Sequence, residues 1–214
     1  MSSNNLPSVD LRPGEAGIFG YGSLLSRASL ERTLGQKYEP ALQTASLPGW
    51  RRAWDVRQPN RAYYAESAEG RVYPENILYL NVTAQPGSVL NGVVIVVTVE
   101  QLAAFDQREW MYDRLAVTRE LHDVRIVGGD VFLYAAKPEF VVRDVKSPRI
   151  AAVRATYLEI VETGLQALGP SFRADYERST DPVPAHLVIE DILDRTKTNA
   201  PTARPMSANA PGTR

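Results

Sequence analysis

The chain has 214 residues, of which 44% are hydrophobic and 23% are charged, and its formal net charge at pH 7 is −1. That length and composition predict one folded globular domain rather than a disordered or membrane-spanning chain. The near-zero charge gives no global signal for binding nucleic acid or an anionic membrane surface. Because the sequence has no cysteine, disulfides, thiolate catalysis and cysteine-based metal sites are excluded.

The two ends of the chain differ from the part between them. Residues 1–14 are polar and lack a charged segment followed by an apolar run, so we expect a flexible N-terminus without a signal peptide. Residues 195–214 are rich in Thr, Ala, Pro, Ser and Asn, a composition that predicts a disordered tail. The folded domain is therefore predicted over residues 15–194. The longest apolar run, Val93 to Val97, is far too short to cross a bilayer, and we expect a cytoplasmic protein.

The first half of the chain is rich in short strand-like runs. In chain order, the predicted elements are a strand at Ala16–Tyr21, a helix at Ser26–Leu34, a hairpin of strands Tyr38–Leu47 and Trp50–Val56, and strands at Asn76–Val82 and Leu90–Val97. Ser26 is the predicted N-cap of the helix and Gly35 its end, and Pro48-Gly49 is the turn dipeptide that predicts the hairpin. The last strand is β-branched and nearly continuous, which is typical of a strand buried on both faces.

Helices become more prominent in the second half. In chain order, the predicted elements are a helix from Glu100, strands at Leu115–Arg119, Asp123–Val127 and Val131–Ala136, a helix at Pro148–Leu168 and a helix at Ser171–Arg178. Thr98, with Gln101 three residues later, has the form of a capping box for the first of these helices. Many short strands with a few helices, in no regular βαβ alternation, predict an α+β fold with a curved or closed sheet.

The helix from Glu100 carries a carboxylate on its apolar face. The residues spaced by three, four and three along that face are Leu102, Phe105, Glu109 and Tyr112. A carboxylate in such a position must be paired, neutralised or used, because burying an unpaired charge is costly. Burial would also raise the pKa of Glu109 toward the range of a general base that works near neutral pH. The alternative is a structural salt bridge from Glu109 to Arg108 or Arg114.

A glycine-containing loop lies between the first strand and the first helix. Its sequence is Phe19-Gly20-Tyr21-Gly22-Ser23-Leu24-Leu25. Two glycines around Tyr21 can let successive backbone N–H groups point at one place and bind an anion. The loop lacks the third glycine of a dinucleotide fingerprint, the lysine of a P-loop and the first glycine of a nucleophile elbow. The alternative is a tight structural turn in which Ser23 caps the helix.

The sequence offers no pattern for metal or cofactor chemistry. Its only histidines, His122 and His186, have no spacing typical of metal chelation. We therefore expect neither a metal nor a cofactor. A Ser-His-Asp triad built on Ser23 remains an open alternative, although no feature locates its partners.

Taken together, these features resemble the γ-glutamylcyclotransferase-like family. Phe19–Leu24 is similar to the F-x-Y-G-S-L loop that follows the first strand of that family. Leu47–Trp54 is similar to its turn and arginine-aromatic strand, and Leu102–Glu109 to its L-x-x-L/F-D-x-x-E helix. Tyr112 and Arg114 look like the tyrosine and arginine that lead into the next strand.

The resemblance implies a small closed or nearly closed mixed β-barrel flanked by helices. It also implies an enzyme in which the α-amine of a γ-glutamyl compound attacks its own γ-carbonyl, releasing 5-oxoproline and an amine. Glu109 would be the general base and acid. The residues implied to contact this small-molecule substrate are Tyr21, Gly22, Ser23, Leu24 and Tyr112. No nucleic acid, membrane or cofactor is implied as a partner.

One residue departs from the family pattern. Many members have glycine directly after the glutamate, where this chain has Trp110. We expect this bulky side chain to narrow or reshape the pocket, so the family's substrates do not transfer to this chain. Two alternatives therefore stay open beside the cyclotransferase, namely a non-catalytic small-molecule-binding relative and a Ser23-dependent acyl hydrolase.

Overall fold

A computed structural model describes residues 6–198 and has an α+β architecture. The strands are β1 (Ser8–Asp10), β2 (Glu15–Gly20), β3 (Gln43–Pro59), β4 (Tyr63–Ser67), β5 (Gly70–Val72), β6 (Asn76–Thr98), β7 (Tyr112–Ala116), β8 (Arg125–Val127), β9 (Val131–Ala136), β10 (Ala151–Arg154), β11 (Val188–Ile189) and β12 (Ile192–Leu193). The helices are α1 (Arg27–Leu34), α2 (Val99–Arg108), α3 (Ala155–Leu168), α4 (Pro170–Arg178) and α5 (Arg195–Thr198). Within residues 6–198, every helix is too short or too polar to cross a lipid bilayer.

A mixed seven-stranded sheet forms the centre of the molecule. Its order is β11-β10-β6-β2-β9-β7, and β3 also pairs with β6. Strand β6 is antiparallel to β2 and β3 and parallel to β10, while β2 and β9 are parallel. Two smaller sheets complete the strand pairing, β12-β4-β5 and β1-β8. Since β6 contacts three other strands, it is the element on which the rest of the sheet is arranged.

The pairing of β3 with β6 corrects two of the sequence predictions. Pro48-Gly49 does not turn the chain, because β3 runs on through it and the register with β6 shifts there as at a bulge. Gly49 has φ +83°, a value that glycine adopts without steric cost. The predicted strands Asn76–Val82 and Leu90–Val97 are likewise the two halves of the single strand β6. A proline-glycine pair predicts a turn locally, but the long partner strand keeps β3 continuous.

The central sheet curls toward closure without forming a complete ring of backbone pairs within residues 6–198. The backbone N–H of Ala136, at the end of β9, donates to Asn81 Oδ1 in the first half of β6 over 2.8 Å. A bridge between Val141, which follows β9 in the chain, and Val56 of β3 adds a second contact. The prediction of a nearly closed mixed sheet flanked by helices is confirmed.

The helix termini explain why α1, α2 and α3 begin and end where they do. Ser26 occupies the N-cap of α1, although its side chain makes no capping hydrogen bond, and Gly35 ends the helix with φ +67°. Thr98 and Gln101 form the predicted capping box of α2. Helix α3 begins at Ala155 rather than Pro148, because residues 151–154 pair with β6 and β11 as strand β10.

The predicted domain ends also need correction. Within the segment expected to be flexible, Ser8–Asp10 forms β1 and pairs with β8, and Val9 and Leu11 are buried. Burial of these two side chains offsets the ordering of a segment that is otherwise polar. The predicted tail begins with helix α5 at Arg195. Residues 1–5 and 199–214, where the rest of both predictions falls, lie outside the described residues.

Candidate active site

Glu109 lies at the point where helix α2 gives way to strand β7. It is the C-cap residue of α2, and its backbone N–H donates to the carbonyl of Phe105 over 2.8 Å. The apolar face leading to it is buried, since Leu102 and Phe105 are 6% and 0% exposed. Tyr112, the next residue of the predicted face, belongs to β7. The side chain of Glu109 is 16% exposed, so the carboxylate ends an apolar face without being sealed from solvent.

The glycine loop follows β2 and continues into a 3₁₀ turn at Ser23–Leu25. Neither Gly20 nor Gly22 has a positive φ, so a left-handed backbone is not what these two positions require. They provide space instead. A Cβ on Gly20 would lie 3.0 Å from Leu24 Cβ, and one on Gly22 would lie 3.3 Å from the hydroxyl of Tyr157. The loop therefore approaches its neighbours more closely than a larger residue would allow.

Glu109 and the glycine loop line one small cavity, which we call the inner cavity. Its volume is about 40 Å³. Its other walls are aromatic and aliphatic, and the full set of lining residues is Phe19, Gly20, Tyr21, Gly22, Ser23, Leu24, Leu80, Glu109, Tyr112, Tyr134 and Tyr157. All six residues that the sequence predicted for the site thus lie together, with Glu109 as the single carboxylate among the described residues of this wall.

Two tyrosine hydroxyls of the inner cavity are fixed by backbone carbonyls. Tyr21 donates to the carbonyl of Tyr134 over 2.8 Å, and Tyr112 donates to that of Leu80 over 2.9 Å. Each hydroxyl oxygen keeps lone pairs that can accept a hydrogen bond. Burial, reinforced by nearby Glu109, holds the pKa of both hydroxyls well above the ordinary tyrosine value. Both phenols therefore remain protonated at neutral pH and serve as fixed polar walls.

The electrostatics of Glu109 are set by burial and by one arginine. Removal from water raises the pKa of its carboxyl group above the ordinary value, and the charge of Arg108 opposes that effect. Arg108 Nε lies 3.4 Å from Glu109 Oε1. The salt bridge that we weighed as the structural alternative is therefore present, yet burial prevails. A carboxyl group whose pKa is raised by burial and partly lowered by a neighbouring arginine can accept a proton and return it.

Ser23 is oriented by the same arginine. Arg108 Nη2 donates to Ser23 Oγ over 2.8 Å, so the hydroxyl faces a cation rather than a base. Neither His122 nor His186 lines the inner cavity, and this arrangement does not support a serine nucleophile activated by histidine. Among residues 6–198 there is no cluster of three or more His, Cys, Asp or Glu side chains that could hold a metal ion.

A larger recess, which we call the outer cleft, opens beside the inner cavity. Its volume is about 320 Å³, within the range of small-molecule sites. It shares Ser23, Glu109, Tyr112 and Tyr157 with the inner cavity. Its further lining residues are Ser29, Arg32, Gln58, Tyr79, Arg108, Met111, Arg154 and Ile160. Glu109 thus stands at the junction of a small apolar chamber and a wider polar one.

Trp110 does not narrow either space. Its ring packs edge-on against Phe140, with the ring centroids 5.0 Å apart, and Trp110 is absent from the described walls of the inner cavity and the outer cleft. Its backbone carbonyl accepts a hydrogen bond from Lys137. Because α2 ends at Arg108 and the chain turns there, consecutive side chains diverge, and Trp110 leaves the pocket that Glu109 enters.

A buried arginine supports the glycine loop from behind. Arg52 is 0% exposed, and its Nε donates to the carbonyl of Tyr21 over 2.7 Å. Its Nη1 donates to Ser179 Oγ over 2.8 Å, and its guanidinium also reaches Asn91. The ring of Tyr176 lies 4.1 Å from the guanidinium carbon. Burial lowers the pKa of Arg52 to about 10, and the side chain stays charged without a carboxylate partner among residues 6–198.

The remaining site residues carry no local sequence signal for the site. Leu80, Tyr134, Tyr157 and Arg154 come from four separate elements, and only the folded sheet brings them together. Tyr157 had one usable signal, its place on the buried face of α3 with Val161. That pattern predicts burial but does not predict a cavity wall.

Comparison of the structure with solved structures identifies the fold. A γ-glutamyl cyclotransferase superposes with a TM-score of 0.51 and 14% identity over 79% of this chain and 90% of that one. An uncharacterized protein from Homo sapiens gives 0.53 and 14% over 80% and 90%. YkqA from Bacillus subtilis gives 0.52 and 17% over 77% and 53%. The chain has the γ-glutamylcyclotransferase-like fold.

Sequence comparison adds nothing to this result, because no protein-family model and no curated protein matches the chain. These three structures are between 14% and 17% identical to the chain, a similarity that establishes the fold and not the chemistry.

Proposed function

We propose that this chain, with its γ-glutamylcyclotransferase-like fold, is an enzyme that converts a γ-glutamyl amine, amino acid or peptide to 5-oxoproline and a free amine. The observation that carries the proposal is the position of Glu109. A carboxyl group with a raised pKa stands where the inner cavity meets the outer cleft. Such a group is suited to move one proton between two nitrogen atoms of a bound substrate.

The reaction needs one proton acceptor that later becomes a donor. Glu109 takes a proton from the α-ammonium of the γ-glutamyl group, and the freed amine attacks the γ-carbonyl carbon. The attacking nitrogen gives its second proton to solvent as it becomes the ring amide, and the released amine later takes one up from solvent. The new C–N bond closes a five-membered ring. Glu109 then returns the proton to the leaving nitrogen as the original amide bond breaks. Because the nucleophile and the electrophile belong to one molecule, the enzyme accelerates the reaction chiefly by holding the substrate in the ring-closing geometry.

The glycine loop suits the anionic end of the γ-glutamyl group. Among residues 6–198, the backbone N–H groups of Gly22, Ser23 and Leu24 donate to no protein acceptor, as is usual at the start of a helical turn. The inner cavity that these three residues line has a volume of about 40 Å³, enough for a small polar group but not for the whole substrate. In this proposal the α-carboxylate enters the inner cavity and the leaving amine lies in the outer cleft.

The decisive experiment measures 5-oxoproline release from γ-glutamyl amino acids, amines and peptides. We expect release by the wild-type protein and a loss of about 10²- to 10⁴-fold in kcat for Glu109→Gln, which keeps the shape and removes the base. Glu120→Gln is the matched control, since Glu120 is exposed and lines neither the inner cavity nor the outer cleft.

Three outcomes would contradict parts of the proposal. Release that survives Glu109→Gln would remove Glu109 as the base. A covalent acyl-enzyme that disappears in Ser23→Ala would establish the hydrolase instead. Binding of γ-glutamyl compounds without release from any of them would show a binding protein of the same fold.

A further inference from the structure

The outer cleft carries an excess of positive charge. Three arginines line it, namely Arg32, Arg108 and Arg154, against the single carboxylate of Glu109. Arg32 is exposed and forms no salt bridge within residues 6–198. Guanidinium groups lining a recess of about 320 Å³ favour a ligand with negative charge, because they can hold a carboxylate or phosphate through paired hydrogen bonds.

Arg154 is fixed before any ligand arrives. Its side chain is 12% exposed, and its guanidinium carbon lies 4.0 Å from the ring centroid of Tyr63 and 5.9 Å from that of Tyr79. Arg154 Nη1 contacts Asp191 Oδ2 at 3.4 Å. Arg154 is therefore a rigid cation at the wall, and a ligand that binds it loses little side-chain entropy.

The charge of Arg154 is only partly compensated. Asp191, its carboxylate partner among the described residues, also accepts hydrogen bonds from the backbone N–H and the hydroxyl of Thr156 over 2.9 and 2.6 Å. Arg154 Nε is buried without an acceptor among the described residues, and so is Arg108 Nη1. Buried donors without acceptors are uncommon in folded proteins and call for an explanation. Arg108 and Arg154 thus keep hydrogen-bonding capacity that the described residues of the protein do not use.

We propose that the outer cleft is a leaving-group subsite that selects γ-glutamyl compounds whose leaving amine carries an anionic group. This inference rests on the proposed function, because it places the leaving amine beside Glu109. The anion binds Arg154, with Arg108 and Arg32 adding attraction from the other lining positions. A neutral leaving amine adds no acceptor for the unused donors of Arg154 and Arg108, and a cationic one is repelled by the three arginines. The chemistry of ring closure is unchanged, since the anion takes no part in bond making or breaking.

The test compares substrates that differ by one charge. γ-Glutamylglycine and γ-glutamylglycinamide have nearly the same size, but only the first carries a carboxylate on the leaving amine. We expect the wild-type protein to prefer γ-glutamylglycine by about tenfold or more in kcat/KM, the equivalent of one hydrogen-bonded charge pair. γ-Glutamyl-phosphoethanolamine and γ-glutamylethanolamine form a second pair, and the larger of the two ratios identifies the anion as a carboxylate or a phosphate.

Variants of the lining arginines then show which residues cause the preference for the anionic leaving amine. Arg154→Met should bring the ratio close to one, and Arg154→Lys should retain part of it, because the charge remains while the planar fork is lost. Arg32→Gln, at an exposed position, should lower the ratio about two- to threefold. Arg149→Met is the control, since Arg149 is exposed and pairs with Glu69 away from the cleft. A preference that survives in both Arg154 variants and in Arg32→Gln would overturn the inference.

Binding measurements test the anion subsite separately from the proposed cyclotransferase activity. Calorimetry with Glu109→Gln gives the affinity for each compound without turnover. Equal release and equal binding of the charged and uncharged compounds would overturn the subsite and leave the cyclotransferase intact. Preferential binding without release by the wild-type protein would support the anion subsite and overturn the cyclotransferase. Absence of both binding and release would overturn both.

Discussion

The inner cavity and the outer cleft share Glu109 but differ in size and in the chemical character of their walls. The inner cavity is small, about 40 Å³, and has aromatic walls and backbone amides. The outer cleft is larger, about 320 Å³, and its walls carry three arginines. Burial raises the pKa of Glu109, and the charge of Arg108, which lines the outer cleft, opposes that rise.

This contrast suggests a division of labour on the two sides of one carboxyl group. A tight, poorly hydrated chamber strengthens electrostatic interactions and suits proton transfer. A wide, charged cleft suits recognition of a polar ligand. Changes on the inner side should therefore act on catalysis and folding, while changes on the outer side should act on substrate choice.

The largest effect is expected behind the inner cavity, at Arg52. Arg52→Met leaves the carbonyl of Tyr21 and the side chains of Asn91 and Ser179 without their buried donor. We expect a loss of about 3 kcal/mol or more in the free energy of unfolding, since several buried acceptors lose their partner at once. Urea denaturation followed by circular dichroism measures this loss.

The neighbouring arginine provides the matched control. Arg51 is 21% exposed and pairs with the half-exposed Asp181, so Arg51→Met should cost about 1 kcal/mol. Equal losses of unfolding free energy for Arg52→Met and Arg51→Met would contradict this prediction. They would show that the buried contacts of Arg52 stabilise the protein no more than the partly exposed contacts of Arg51.

A pair of glycines separates packing from chemistry. A Cβ on Gly164 would lie 2.6 Å from the backbone carbon of Leu25, whereas one on Gly22 would lie 3.3 Å from the hydroxyl of Tyr157. Gly164→Ala should therefore lower the free energy of unfolding by about 1–3 kcal/mol. Gly22→Ala should instead lower kcat/KM by about tenfold or more, because its methyl group enters the inner cavity. Thermal unfolding and 5-oxoproline release, measured on both variants, test the pair. Similar losses of stability in Gly164→Ala and Gly22→Ala would contradict the prediction that the first position serves packing and the second serves catalysis.

The pH dependence follows from the raised pKa of Glu109. The base form is required, so kcat/KM should rise with pH to a midpoint above the ordinary glutamate value of about 4.3. Because the folded state favours the protonated carboxyl group, its contribution to stability is complete below the unfolded pKa and is lost as pH rises through the folded pKa. The melting temperature of Glu109→Gln relative to wild type should therefore increase with pH. A constant difference between pH 4 and pH 8 would contradict the assigned direction.

The smallest effect is expected at the far end of α2. Thr98→Ala removes the capping box and should cost about 1 kcal/mol of stability. Glu109 lies at the opposite end of the same helix, so kcat should stay within a factor of two while the melting temperature falls. A large loss of kcat would mean that the helix does not hold Glu109 independently of its first turn.

Some of this site could be predicted from sequence because its signals are local. Glu109 was identified by its place on an apolar helical face, although the helix ends one residue before it. The loop around Tyr21 was identified by its glycines, and the structure adds that neither has a positive φ and that both allow close packing against neighbouring side chains. A local pattern can indicate a residue's role without indicating which constraint it satisfies.

The rest depended on contacts between distant segments. Pro48-Gly49 predicts a turn unless one knows that β6 continues as a partner along the whole of β3. Arg154 and Tyr157 became part of the site only when β10 paired with β6 and directed α3 across the loop. The predicted obstruction by Trp110 failed for a similar reason, because the break in α2 turns its ring toward Phe140.

The contacts of Arg52 have a consequence for how the protein is made. Arg52 is separated from its acceptor on Ser179 by 127 positions in the chain. While the ribosome is still synthesising the last third of the chain, Glu109 and the loop already exist but the arginine between them lacks that acceptor. Contacts of such long range form late in folding. A nascent or truncated chain that stops before α4 therefore carries its proposed catalytic glutamate without the framework that supports the loop beside it.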